Sequence, residues 1–285
     1  MKTQVILSLR KMPVGPVEAE SINPEGVTGK DKQEIEALPL LVGNRWEKAG
    51  DYFDVAITAL EGFKEESGAG SPADLILQGD LSRFKRLGEG MTAGQMVVEG
   101  TAGFHAGAFM SGGTLTIQGN AGDWLGAHMR GGKIVVRGGA GHFIGAAYRG
   151  YKLGMTGGTI LVAGDVGQMV GARLRRGVIA IGGNCGDMPG FAMGAGTIVI
   201  AGTAGLRAGA KMVRGTLILL RPSELLPTFY YNCVYQPPFW GLLYSYLAGE
   251  GFELPACSRA SDFVRYSGDA NEGGRGEILL CQSHA

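Results

Sequence analysis

The chain is predicted to be all-β, a right-handed parallel β-helix with small N- and C-terminal extensions, on three observations. GxxGxxxG occurs six times, opening at Gly100, Gly119, Gly138, Gly164, Gly183 and Gly202, with successive openings 19 residues apart at every step but one. Each copy leads into a short apolar run that alternates with period two. The space between runs is too small for a helix-containing repeat of the usual kind, and a fixed period of this size marks a stacked solenoid.

Residues 1 to 72 lack the period and read as an α/β extension. TQVILSL is strand-like, a polar Pro-containing stretch follows, and in LPLLVGNRWEKAGDYFDVAI the NRW and DYFDV segments read as a turn and a strand. EGFKEESGAGSP, residues 61 to 72, is a charged and then small-residue linker. The repeat domain spans residues 73 to 221. Its first copy, opening at Gly79 after DLILQ, lacks the two later glycines, as suits a terminal coil that caps the stack.

Within the six intact copies the opening glycine is followed by glycines three and seven residues on. These are Gly103 and Gly107, Gly122 and Gly126, Gly141 and Gly145, Gly167 and Gly171, Gly186 and Gly190, and Gly205 and Gly209. The runs TLTIQ, KIVVR, TILVA, VIAIG, TIVIA and TLILL then place Leu115 and Ile117, Ile134 and Val136, and their equivalents on one face. Met110, Met129, Met155, Leu174, Met193 and Met212 form a second apolar column. Both columns are predicted to face one continuous core. Successive coils lie about 4.8 Å apart, so corners that stack on their own equivalents suit residues without a Cβ. Read instead as a phosphate-binding loop, the glycines lack a strand-to-helix unit or a GxxxxGKS.

The step from Gly138 to Gly164 is 26 residues, so seven extra residues near YRGYKLG leave the coil. Insertions of this kind map to one face and often bear contacts. Arg130, Arg149, Lys152, Arg173, Arg175, Arg176, Lys211 and Arg214 fall at neighbouring offsets and form a basic ridge along one edge. Two readings stay open: a solvated edge or inter-subunit interface, and a patch for an anionic partner or substrate tail. Residues 222 to 285 are aromatic-rich. Phe229, Tyr230, Tyr231, Tyr235, Phe239, Trp240, Tyr244 and Tyr246 must be buried against the solenoid or a partner, and FVRYSGDANEGGRGEILL reads as a turn and a strand.

Composition excludes several classes. Formal net charge is zero, which gives nucleic-acid binding no bulk support. MKTQVILSLRK is too short for a signal peptide and no apolar stretch reaches membrane-spanning length, so a cytoplasmic protein without membrane contact is expected. Cys185, Cys233, Cys257 and Cys281 show no metal-ligand spacing and read as reduced thiols. His105, His128 and His142 sit at three different offsets and read as surface or satisfied structural groups rather than a metal column. No paired carboxylates recur at one offset and no Ser, His and Asp set stands out, so no catalytic, cofactor-binding or metal residue is expected.

The repeat, the FVRYSGD and GGRGEILL ending and the LPLLVGNRWEKAGDYFDV segment together resemble the C-subunit of formylmethanofuran dehydrogenase over nearly the whole chain. The resemblance implies a β-helix inside a multisubunit complex of one-carbon metabolism. In the archaeal complex, carbon dioxide is reduced onto methanofuran with tungsten or molybdenum and iron–sulfur clusters held by other subunits. In the bacterial formyltransferase/hydrolase complex, formyl groups pass from tetrahydromethanopterin through a methanofuran analogue and are hydrolysed to formate. By the same resemblance the C-subunit is non-catalytic, its partners are the other subunits, and the carrier and metals belong to the complex. Arginine outnumbers lysine 16 to 10, which leans toward the bacterial complex. The same repeat also forms the C-terminal domain of the large glutamate synthase polypeptide, so an accessory domain of that kind and a stand-alone binding protein using the basic ridge stay open.

Overall fold

The computed structural model describes residues 2–60, 72–254 and 257–282; the linker expected at 61 to 72 lies, except for its last residue, outside them. In chain order the strands are β1 (Lys2–Leu9), β2 (Val17–Glu18), β3 (Pro39–Val42), β4 (Arg45–Lys48), β5 (Phe53–Leu60), β6 (Asp74–Gln78), β7 (Phe84–Lys85), β8 (Gln95–Glu99), β9 (Thr114–Ile117), β10 (Lys133–Val136), β11 (Thr159–Val162), β12 (Val178–Ile181), β13 (Thr197–Ile200), β14 (Thr216–Leu219), β15 (Tyr231–Tyr235), β16 (Phe263–Ser267) and β17 (Glu277–Cys281). Three helices, α1 (Pro24–Val27), α2 (Lys32–Glu36) and α3 (Trp240–Gly249), join them. Asn23 caps α1 through the Gly26 amide, and Asp31 with Glu34 forms a capping box on α2.

The strands after each glycine motif stack as a parallel sheet with no register slip, Ile134 beside Leu115 and Ile160, and Ile198 beside Ile179 and Leu217. This is a parallel β-helix. Its sheet extends past the repeats at both ends: β1 adds a parallel strand to β6 and β17 adds one to β14. Antiparallel strands close it, β5 on β1 at one end, β16 and then β15 at the other. A second parallel ladder of single bridges joins Ala102, Ala121, Ala140, Val166, Cys185 and Ala204. The apolar columns face inward together: Leu115, Ile117, Ile134, Ile160, Met110, Met129, Met155 and Met193 are all fully buried. Each such side chain contributes about 1.5–3 kcal/mol.

Close approach between coils sets the glycine columns. The amide of each opening glycine donates to the carbonyl of the one before, Gly119 to Gly100 at 2.9 Å and Gly138 to Gly119 at 3.1 Å. A Cβ on Gly119 would lie 2.7 Å from the Gly100 carbonyl carbon and oxygen, and one on Gly103 would lie 2.3 Å from the Phe84 carbonyl oxygen. The third column differs. Gly126 has φ +60, and its Cβ would meet core side chains rather than another corner, 2.6 Å from Ile160 Cδ1 and 3.1 Å from Ile134 Cδ1.

The outer face of the sheet carries a second core. Val135, Leu161, Ala180, Val199 and Ile218 pack beneath Trp240 and Leu247 of α3 and Phe263 of β16. Part of the C-terminal aromatic area is therefore buried on the chain's own solenoid, with Trp240 Nε1 donating to the Ser258 carbonyl at 2.9 Å. Two expectations are corrected here. The last segment forms two antiparallel strands, β16 and β17, instead of one, because β17 runs back along the open edge of β14. Cys257 and Cys281 form a disulfide, since the return of β17 carries Cys281 to the segment that follows α3; Cys185 and Cys233 keep free thiols.

Replacing Gly126 with Val is expected to cost about 2 kcal/mol or more, from left-handed strain plus overpacking against Ile160. Thr116→Val, at a half-buried outward position of β9, is expected to cost under about 0.5 kcal/mol. Denaturant unfolding of the two variants side by side checks this.

Candidate functional site

The coil corners are built from backbone that most residues avoid. Twelve non-glycine residues have φ between 52 and 64. In the repeats they occupy two columns: His105, Trp124, Phe143, Met169, Met188 and Arg207 at offset five, and Phe109, His128, Arg173, Ala192 and Lys211 at offset nine. Each costs about 1–3 kcal/mol in isolation. The coil stack holds them, because the turned amide reaches the next coil: His105 donates to the Asp123 carbonyl, Trp124 to that of His142 and Phe109 to that of Ala127, each at 2.8 Å. A side-chain ladder reinforces the edge. Asp123 Oδ1 accepts from the His142 amide at 2.8 Å, Asn184 Oδ1 from Thr203 at 2.9 Å and Asp187 Oδ1 from Leu206 at 2.9 Å.

Both columns project side chains outward at coil spacing, and in the middle of the stack those side chains are rings. Trp124 and Phe143 stack with centroids 4.3 Å apart, and Phe109 and His128 with centroids 5.0 Å apart. The insertion drops Tyr148 between the two stacks. Its backbone amide donates to His128 Nε2 at 2.9 Å, and its hydroxyl hydrogen-bonds His105 Nδ1 at 2.8 Å. The three histidines do not form a column with one another; two of them join aromatic columns, while His142 Nδ1 accepts from the Gln168 amide at 2.9 Å. The signal that exposes this cluster in the sequence is ring-on-ring alignment at offsets five and nine.

Burial governs the ionisation of the cluster. It pushes His128 below the ordinary imidazole range, helped by the charge of Arg130. His105 is lowered by burial first and Arg86 second, with Lys85 acting in the same sense and Glu18 and Asp123 against it. Tyr148 is raised to about 12, mainly by burial. An Nε2 that accepts from an amide requires neutral His128, which agrees with that shift.

The insertion separates two clefts. The larger, about 520 Å³, has Trp124, Phe143 and Phe191 in its lining with Arg149 and Arg173. The smaller, about 340 Å³, is lined by Phe109, His128 and Tyr151 with Arg130 and Lys152. All eight ridge residues are exposed. Four of them meet at these clefts; Arg175, Arg176, Lys211 and Arg214 line neither. No ion pair among the described residues includes any of the eight. Arg173 instead donates to the Tyr151 carbonyl at 2.8 Å, tying the ridge to the insertion. Among the described residues no group of three or more His, Cys, Asp or Glu side chains could hold a metal ion. Among the same residues no helix is long and apolar enough to cross a membrane.

Fold and repeat define the class: a parallel β-helix whose residues 78–231 match the family described as GXGXG motif. Over 106 residues the chain is 38% identical to the C-subunit of the tungsten-containing formylmethanofuran dehydrogenase 2 of Methanothermobacter marburgensis. Over 104 residues it is 34% identical to the C-subunit of the molybdenum-containing formylmethanofuran dehydrogenase 1 of Methanosarcina barkeri. These matches cover 37% and 36% of this chain and span only 37% and 32% of the relatives' own lengths. A chain in the crystal structure of the formyltransferase/hydrolase complex (FhcABCD) from Methylorubrum extorquens, in complex with methylofuran, is similar over far more. There the TM-score is 0.85 and the identity 33%, across 96% of this chain and 98% of that one. The chain belongs to the GXGXG-motif family and, within it, to the formylmethanofuran dehydrogenase C-subunit family.

The two histidines make the seating of the insertion pH-dependent. Their folded pKa values lie below the ordinary 6.5, so the stabilisation is complete above 6.5 and is lost as pH falls through the folded values. After correction for intrinsic rates, hydrogen-exchange protection of the Tyr148 amide is expected to fall between pH of about 7 and about 5. His128→Phe is expected to reduce that dependence to the part due to His105 and to cost about 1–3 kcal/mol by orphaning the amide.

Proposed function

We propose that this chain is the structural C-subunit of a formyltransferase/hydrolase complex in tetrahydromethanopterin-linked one-carbon metabolism, which converts formyl groups to formate. The observation that carries this reading is the near end-to-end match, flanking strands included, to a chain of the Methylorubrum extorquens complex. Shared coils alone would fit any GXGXG solenoid. The N- and C-terminal segments that cap this stack are what a generic repeat match leaves out, and they fall inside the matched length. A second reading, the C-subunit of a tungsten or molybdenum formylmethanofuran dehydrogenase, draws on the names of the curated relatives. It rests on about a third of the chain, and the first reading is preferred for that reason.

In this reading the chain contributes no reacting group. A methanofuran-type carrier and any metals are held by other subunits, the complex works in the cytoplasm, and neither nucleic acid nor membrane is a partner. Residues 73–221 serve as the rigid stack, residues 1–72 and 222–285 as its end and side coverings, and the glycine columns as its spacing. The basic ridge serves contacts with anionic groups on a partner. Chemistry of this kind needs an activated nucleophile or a metal-bound water. The buried thiol of Cys185 is driven up to about 12 by burial, which leaves it inert.

Two measurements check the proposal. Affinity purification of the tagged chain from its native host is expected to recover formyltransferase and hydrolase subunits in fixed ratio. The purified chain alone is expected to show no formyl transfer, deformylation or formate oxidation, and turnover persisting after removal of the partners would contradict the structural role.

A further inference from the structure

We infer that the two clefts beside the insertion are one docking surface, occupied in the complex by an acidic, aromatic-bearing polypeptide segment of a partner subunit. The inference rests on the structural-subunit reading above and specifies the chemistry of one contact. Three observations carry it.

First, the surface is cationic on both sides of the insertion, and no ion pair among the described residues neutralises it. Arg149 and Arg173 flank the larger cleft, Arg130 and Lys152 the smaller, and none belongs to an ion pair among the described residues. Other cations of this molecule do find carboxylates, as Lys133 does with Glu250 and Arg265 with Glu277. Four unpaired cations around one loop in a chain of zero net charge select an anionic occupant.

Second, the surface is apolar between the charges. The insertion exposes Tyr151 at 54% and Leu153 at 48%, and Trp124, Phe143 and Phe191 line the larger cleft. Arginine around tryptophan and tyrosine is the composition of interface hot spots, where a planar cation and a ring together bind aromatic and carboxylate groups.

Third, the shape calls for a chain rather than a small molecule. The apolar and charged groups are divided between two hollows of about 520 and 340 Å³, residues 148–150 of the insertion lining one and 151–154 the other, so a compact ligand would engage one pair of cations and leave the other. An extended segment places alternate side chains on one face and can fill both hollows while crossing the insertion. The surface is also pre-formed. His105 and His128 hold Tyr148, and Arg173 holds the Tyr151 carbonyl, so little ordering is needed on docking.

The test uses the intact complex. Carbodiimide joins Lys152 Nζ only to a carboxylate in direct contact. Treatment of the purified complex followed by peptide mass spectrometry is expected to link Lys152 to an Asp or Glu of a partner subunit that has an aromatic or large aliphatic residue within three positions. Lys152→Arg keeps the charge and is expected to remove the link without loss of assembly. Arg149→Glu with Arg173→Glu is expected to weaken retention of that partner at least tenfold at about 0.15 M salt, where exposed pairs beyond about 8 Å are screened. Arg175→Glu with Arg214→Glu, outside the clefts, is expected to retain it. The inference is overturned if the complex assembles yet Lys152 is acetylated as fast as in the free chain and the charge reversal has no effect. Protection of Lys152 by an added dicarboxylate in place of a partner would overturn it equally. If the native chain recovers no partner at all, the structural-subunit reading falls and this inference with it.

Discussion

The spacing between coils is the constraint on which everything else in this molecule depends. Each coil must lie one strand separation from the next around its whole circumference, because every turn donates and accepts backbone hydrogen bonds up and down the stack. At the tight corners there is no volume for a Cβ: one added to Gly100, Gly103 or Gly119 would lie under 3 Å from carbonyl atoms of the neighbouring coil. Where the amide must point up the stack, φ turns positive even for Trp124 and Phe109. The same geometry buries one side chain of each strand pair inside and leaves its neighbours on the outer face for the C-terminal covering.

A stack so constrained tolerates variety only where side chains leave it. At offset five, the positions that share one backbone conformation carry His, Trp, Phe, Met and Arg. Rings at successive coils therefore come into contact through the repeat itself, as Trp124 and Phe143 do. An insertion at that level can be anchored without disturbing the ladder. Tyr148 occupies that place, and the coil resumes at Met155, whose amide returns to the Gly145 carbonyl at 2.9 Å. The result is a regular stack of coils with one decorated flank.

Much of the architecture was legible from residues alone. The 19-residue period gave the coils, alternation gave the inward face, and the seven extra residues gave the position of the loop. The left-handed columns escaped notice because the requirement there falls on the backbone and leaves side-chain identity free. Tyr148 read as part of an outward loop, since nothing in YRGYKLG reports that its ring turns back between two histidines. The pairing of Cys257 with Cys281 was invisible for a similar reason: it follows from where β17 docks, not from their sequence separation of 24. The C-terminal aromatic cluster announced burial, yet Tyr230, Tyr231, Phe239 and Tyr246 stay exposed; only the apolar outer face of β10 to β14 decided that Trp240 packs on the chain itself.

If coil spacing is the governing constraint, distance to backbone should decide the cost of a methyl group more than φ does. Gly119 is outside the left-handed region, yet its Cβ would fall 2.7 Å from the Gly100 carbonyl; Gly150 has φ +88, yet has nothing within 4 Å. Denaturant unfolding of Gly119→Ala and Gly150→Ala is the most direct measurement. Gly119→Ala is expected to lose at least about 2 kcal/mol and Gly150→Ala about 1 kcal/mol, the strain of a left-handed alanine without a clash. Equal losses, or a larger one at Gly150, would contradict the primacy of coil spacing.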